Sequence, residues 1–360
     1  MTPPPTRAVR IWLWTVAALV AGMVVVGGFV RLSRAGLSIV EWDAVTGVVP
    51  PMGEAAWQEA FAQYQQSPEG RTVNADMTLD GYRRIFLIEW FHRLVARLAG
   101  LAVLLPLLVF LFRRTIPWRR SGPYWAVVIG FGLQGLLGWL MVASGLVDRP
   151  SVSHYRLTAH LMAALALLAF TIWLAMQQAA VAGDATSAGG DGVASLGRDG
   201  ARDERSARRL RRLGWLLVAV VTIQIVWGGL MAGLKAGTVS DTWPRMLGQL
   251  LPDGLLSAAP TWWQSVTEVP LGVHWVHRWL AWAVLAVAAA LALAARRAGA
   301  GRIARPAAAL VVLVGVQIAL GVTVIVQHVP LSLALLHQAT GVAVFALTVV
   351  TFHRLATAGR

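Results

Sequence analysis

Four histidines occupy matching places in two halves of the chain, each just inside the start of an apolar segment. They are His92 in Glu89-Trp-Phe-His92-Arg93, His160 in Thr158-Ala-His160, His277 in His274-Trp-Val-His277-Arg278 and His337 in His337-Gln-Ala-Thr-Gly341. An ionisable side chain inside a bilayer is costly and usually functional. Neutral imidazole is the common nitrogen ligand of haem iron. Two pairs at one depth, about 5–12 Å below the outer surface at 1.5 Å per helical residue, point to two haem irons. A lone transmembrane histidine is more often a hydrogen-bonded core residue. Four in repeat-matched places favour ligation, because packing does not call for histidine in particular. His154 and His328 near loop ends, and His353 at the expected inner interface, are weaker candidates.

The two halves differ at one position that matters chemically. Glu89 precedes His92 by three residues, where the second half has His274 before His277. Residues three apart share a helix face, so Glu89 is expected beside the iron or macrocycle held by His92. A carboxylate there suits proton delivery or stabilisation of a cationic intermediate; the alternative is a carboxylate exposed at the outer surface. The asymmetry suggests that one haem is worked upon and the other supplies electrons. Arg93 and Arg278 each follow a candidate ligand. Their forked guanidinium groups suit haem propionates, or they snorkel to lipid headgroups. The same two readings apply to Arg97.

Long apolar helices must position these residues. The chain is 57% hydrophobic and 13% charged, with a mean hydropathy of +0.63, which excludes an ordinary soluble domain. Crossing a bilayer core takes about 20 apolar residues. Eight segments qualify: Ile11–Val30, Ile85–Phe112, Tyr124–Val147, Leu157–Val181, Leu213–Leu234, Val273–Ala295, Ala304–Val326 and Leu331–Phe352. None alternates with period two as a barrel strand would. The first is too long for the apolar core of a signal peptide and is expected to be a retained span. The fold class is thus all-α and polytopic.

Charge sets the orientation. The formal net charge is +14, which in a soluble protein would suggest nucleic acid. Here Arg7, Arg10, Arg113, Arg114, Arg119, Arg120, Arg296, Arg297, Arg302, Arg305 and the Arg198–Arg212 cluster fall on one side. Glu41, Asp43, Glu54, Glu59, Glu69, Asp76, Asp80, Asp241, Asp253 and Glu268 fall on the other. The positive-inside rule places both termini in the cytoplasm, and nucleic acid is not an expected partner. The absence of cysteine rules out disulfides, thiolate metal sites and covalent haem attachment.

Internal similarity divides the chain into two four-helix units. Gly27-Gly28 through Gly36 resembles Gly228-Gly229 through Gly237, Phe91-His92-Arg93 resembles Val276-His277-Arg278, and Gln134-Gly-Leu-Leu-Gly138 resembles Gln317-Ile-Ala-Leu-Gly321. An even number of spans per unit gives a parallel repeat about a pseudo-twofold axis. The expected division is 1–182, a flexible cytoplasmic linker over 183–212 rich in Gly, Ala, Ser, Asp and Arg, and 213–360. Leu247–Leu256 and Trp262-Trp263 in the long outer segments are expected either at the interface or as plain loops.

At these residues the chain resembles the haem A synthase family. The likeness is carried by Gly27 through Trp42, Pro50-Pro51, Tyr64-Gln-Gln-Ser-Pro-Glu69, Asn74, Met77, Ile85-Phe86, Glu89-Trp-Phe-His-Arg93, His277-Arg278 and His337-Gln-Ala-Thr-Gly341. It covers nearly all of the chain outside the linker and termini, and matches the cysteine-free, mitochondrial-like branch. The resemblance implies conversion of haem O to haem A by successive hydroxylations of a ring methyl, for cytochrome oxidase assembly. It also implies a haem b cofactor on His277 and His337, and the substrate haem on His92 and His160 with Glu89; Arg278 and Arg93 are the candidate binding residues beside each. The implied partners are haem O, membrane lipid, the haem O synthase that would supply it and an electron donor that the sequence does not name. A homo-oligomer is compatible with it. The implied location is the bacterial cytoplasmic membrane. Two other readings stand beside it: a non-catalytic dihaem b-type cytochrome exchanging electrons with quinone, and a transporter with a histidine proton relay.

Overall fold

The computed structural model describes residues 7–41, 46–147, 150–183 and 200–358. Among them the chain is helical without strands. In order run α1 (Arg7–Leu32), α2 (Glu54–Gln65), α3 (Pro68–Thr72), α4 (Leu79–Phe112), α5 (Gly122–Ala143), α6 (His154–Gly183), α7 (Gly200–Leu234), α8 (Trp262–Thr267), α9 (Pro270–Arg297), α10 (Gly301–Val326) and α11 (Leu331–Thr357). Eight of these, α1, α4, α5, α6, α7, α9, α10 and α11, are long and apolar enough to cross a membrane. They coincide with the eight expected spans.

Boundaries differ where polar residues carry the helix beyond its apolar part. α4 starts at Leu79 rather than Ile85 because Thr78 caps it, its hydroxyl accepting from the Gly81 amide at 3.2 Å. α9 starts at Pro270, whose missing N–H costs nothing in the first turn. α7 starts at Gly200, inside the stretch expected to be flexible linker. That stretch is rich in strong helix formers, and Arg208 pairs with Glu204 one turn earlier at 3.1 Å. The rest of that linker, 184–199, lies outside the described residues.

Contacts divide the chain into two compact units, Ala18–Leu167 and Met1–Ala17 with Leu168–Arg360. The division falls within α1 and α6, because the start of α1 and the end of α6 group with the C-terminal helices. Trp173 on α6 meets Phe352 and His353 with ring centroids 6.2 and 4.6 Å away. His353, expected at the interface, is therefore buried.

In the unit from Leu168 onward, α9 packs on α7 and α10, and α11 closes the ring against α10 and α7. Val284, Ala288, Leu291 and Ala295 form the buried face of α9, recurring at three- and four-residue steps as one face of a helix must. Between α7 and α9, Leu247, Leu250, Leu251, Leu256, Trp262 and Trp263 are all exposed, a composition that suits the membrane interface.

In the unit Ala18–Leu167 the long segment between α1 and α4 is folded, carrying α2 and α3. Tyr64 of α2 and Tyr82 of α4 stack with centroids 5.1 Å apart, and Trp57 meets Phe86 edge-on at 5.1 Å. The Tyr64 hydroxyl accepts from Asn74 at 2.6 Å and donates to Glu69 at 3.3 Å. Burial pushes the Tyr64 phenol up to about 12. Arg83 pairs with Glu54 and ties α2 to the start of α4.

Gly272 marks a close backbone crossing in the other unit. A Cβ there would collide with the Ser265 carbonyl of α8, and the obstacle is main chain, which cannot rotate away. Gly272→Ala should destabilise the protein by about 1–3 kcal/mol, measured as a lowered unfolding temperature in detergent. Gly315→Ala on α10, where nothing lies within 4 Å, should leave that temperature unchanged.

Candidate functional site

Each of the four histidines rests edge-on against a glycine of a neighbouring helix. A Cβ built on Gly27 of α1 would lie 3.3 Å from the His92 ring of α4. The corresponding distances are 3.2 Å from Gly138 of α5 to His160 of α6, 3.2 Å from Gly228 of α7 to His277 of α9, and 3.0 Å from Gly321 of α10 to His337 of α11. A side chain at any of these places would push the imidazole away. The helix turns that follow three of these glycines also match. Arg34, Lys235 and His328, each seven residues on, have φ of 53°, 54° and 58°, a left-handed conformation uncommon for such residues.

Three of the histidines have a glutamine four residues before their glycine, on the same helix face. Gln134 Nε2 donates to the His160 carbonyl at 2.8 Å, Gln224 Nε2 to the His277 carbonyl at 3.1 Å and Gln317 Nε2 to the His337 carbonyl at 2.9 Å. Gln224 Nε2 also lies 3.3 Å from His277 Nδ1, and Gln317 Nε2 lies 3.2 Å from His337 Nε2. These glutamines carry a role that the histidine and carboxylate spacing did not reveal. Their signal is the recurrence of Gln-x-x-x-Gly.

The structure brings the histidines together in pairs. His277 and His337 have ring centroids 6.5 Å apart. That is the span of two imidazoles facing one metal ion through bonds of about 2 Å each, with the half-widths of two rings. His92 and His160 lie close enough to interact electrostatically. Among the described residues no cluster of three or more His, Cys, Asp or Glu could hold a metal ion. Two protein ligands per iron suit a macrocycle that supplies the other four donors, so this donor set fits haem rather than a bare metal ion.

Glu89 is 3% exposed, and its carboxylate accepts five hydrogen bonds. Ser38 N, Ser38 Oγ and Ile39 N donate to Oε2 at 2.8, 2.7 and 3.0 Å. Arg93 Nε and Nη2 donate to Oε1 at 3.1 and 2.5 Å. Glu89 is therefore anchored to the turn after α1 as well as standing one turn outward of His92. Arg93, considered for propionates or headgroups, binds Glu89 and donates to the Ile39 carbonyl at 3.2 Å. The corresponding pair in the other unit is His274 and Arg278, with Arg278 Nη2 3.2 Å from His274 Nε2. Arg278 also reaches the Pro244 and Arg245 carbonyls at 3.4 Å and lies 5.0 Å from the Trp243 ring centre. Sequence spacing missed Ser38 and Ile39, which are 51 and 50 residues from the carboxylate they bind.

Eight membrane-length helices in two compact units, each holding a glycine-backed histidine pair, define a multi-pass helical membrane protein built around paired imidazoles. Residues 10–349 match the model of the COX15-CtaA family, described as cytochrome oxidase assembly protein, and the chain belongs to that family. It is 43% identical to Heme A synthase of Bradyrhizobium sp. strain ORS 278 over 361 residues, covering 98% of this chain and 94% of the relative. It is 40% identical to Heme A synthase of Sphingopyxis alaskensis, covering 98% and 93%. With Heme A synthase of Bradyrhizobium diazoefficiens the identity is 42%, with the same coverage.

The glycine contacts give a direct test. Gly321→Val places methyl groups against His337, so purified protein should lose most of any haem that this histidine pair ligates, read by pyridine haemochrome. Gly315→Val, on the same helix with open space around it, should match the parent in haem content.

Proposed function

We propose that this chain is a haem A synthase, oxidising a ring methyl of haem O to a formyl group by successive hydroxylations. The observation that carries this reading is the asymmetry between two otherwise matching histidine pairs. One has a buried, five-fold hydrogen-bonded carboxylate one turn outward; the other has His274 at that place. The names of the relatives, Heme A synthase at 40–43% identity over nearly the whole chain, support the same reading.

In this assignment His277 and His337 hold a resident haem b, with Arg278 beside it, and His92 and His160 hold the substrate haem O, with Arg93 and Glu89. The haem b would supply electrons. Everything else is done by the chain's own residues. Glu89 is fixed before reaction begins, so its negative charge favours loss of electron density from the neighbouring macrocycle without reorganisation. Arg93 and the Ser38 and Ile39 amides hold the carboxylate still. The Ser38 hydroxyl, shared between Oε2 and the Ala35 carbonyl at 2.9 Å, adds a further donor that fixes the carboxylate. The arginine clusters on the side of Arg7 and Arg113 support an orientation with both termini in the cytoplasm of a bacterium. Haem O, with its apolar tail, is the substrate; haem O synthase and an electron donor are the proposed partners.

Glu89→Gln replaces one acceptor oxygen by a donor amide in a site where all five partners donate. Haem A formation should fall by about 10²–10⁴-fold, with haem O or its hydroxylated form accumulating on extraction, while haem b is retained. Haem A within a few-fold of the parent would remove Glu89 from the chemistry. His277→Ala and His337→Ala should each lower haem b content and abolish activity; undiminished haem b in both would overturn the cofactor assignment.

A further inference from the structure

We propose that His92 is the displaceable imidazole among the four, because Met23 stands where the other three histidines have a positioning glutamine. The inference rests on the haem-ligation reading above and concerns which ligand yields.

The register is set by the glycines. Counting four residues back from Gly138, Gly228 and Gly321 gives Gln134, Gln224 and Gln317; counting four back from Gly27 gives Met23. Met23 therefore sits on the face of α1 that carries the His92 contact. Each glutamine ties its histidine's backbone to the neighbouring helix through Nε2. Each also keeps its Oε1 buried without a partner, and Nδ1 of His160 and of His337 is buried without one too. A buried polar atom left unpaired is costly, and a ligating histidine donates its second ring N–H to an acceptor that fixes its orientation. The three orphan Oε1 atoms are acceptors of the kind that such a ring N–H needs. A thioether is only a weak acceptor, so Met23 holds neither the ring nor the backbone of His92 in this way.

The chemistry gives the difference a purpose. An iron with two fixed imidazoles has no open position. Release of His92 opens one on the helix that carries Glu89, one turn from the carboxylate. The His277–His337 pair, with Gln224 and Gln317 on its two ligands, remains closed, as an electron-transfer site requires.

Carbon monoxide reports ligand release independently of turnover. Reduced protein carrying both haem b and haem O should bind carbon monoxide at haem O and not at haem b. Met23→Gln should weaken that binding by up to about tenfold, the worth of one buried hydrogen bond, with both haems retained; Met23→Leu should behave as the parent. Conversely, Gln317→Met should let carbon monoxide reach haem b. Unchanged carbon monoxide affinity in a haem-loaded Met23→Gln protein would overturn the proposal, as would a Gln317→Met protein whose haem b stays unreactive. His92→Ala separates the two levels of inference. An altered haem O spectrum with tight carbon monoxide binding supports both, whereas an unaltered spectrum would sink the ligation of haem O by His92 and this proposal with it.

Discussion

The architecture turns on one contact made four times: an imidazole edge against the bare Cα of a glycine on the next helix. Each such contact lets two helices approach closely enough that a ring reaches between them. A Cβ added at any of the four glycines would lie 3.0–3.3 Å from the ring, so a single added methyl would have to be absorbed by ring or helix. Small residues at helix crossings are the usual means of close approach in membranes, where lipid offers no hydrophobic drive for helices to associate. Here the space so gained goes to an ionisable ring rather than to backbone contact alone.

The second constraint is polar satisfaction. Groups buried in or near lipid must find partners within the protein. The Gln-to-carbonyl bonds meet it in three of the four helix pairs and hold His160, His277 and His337. Glu89 meets it differently, drawing Ser38, Ile39 and Arg93 onto its two oxygens. The segment between α1 and α4 is consequently pinned to α4 at the level of the site, and Trp57, Tyr64, Tyr82 and Phe86 form an aromatic cluster beside it. The unit with the carboxylate thus has a built outer cap. In the other unit, Arg278 reaches its own outer segment through the Pro244 and Arg245 carbonyls.

The internal sequence repeat keeps its glycines and histidines and varies at single positions. The glycine contacts persist in both units. Glu89 against His274, and Met23 against Gln224, are the points of variation, and both lie on the helices that meet at His92.

Much of this was legible in the sequence, for a physical reason. A bilayer admits few structures, and eight apolar runs of spanning length leave little choice but eight helices. The histidines, Glu89 and the internal repeat could be found by spacing, because residues three or four apart share a helix face wherever that helix packs. Spacing along one helix does not show what the facing helix or loop contributes. Ser38 and Ile39 on Glu89, Gln224 on His277, and the burial of His353 against Trp173 all join residues far apart in sequence. Arg93 shows the same limit: its charge and position suited a propionate, a headgroup or a carboxylate alike. Only the fold, by bringing Glu89 and the Ile39 carbonyl within its reach, decided which acceptors it meets.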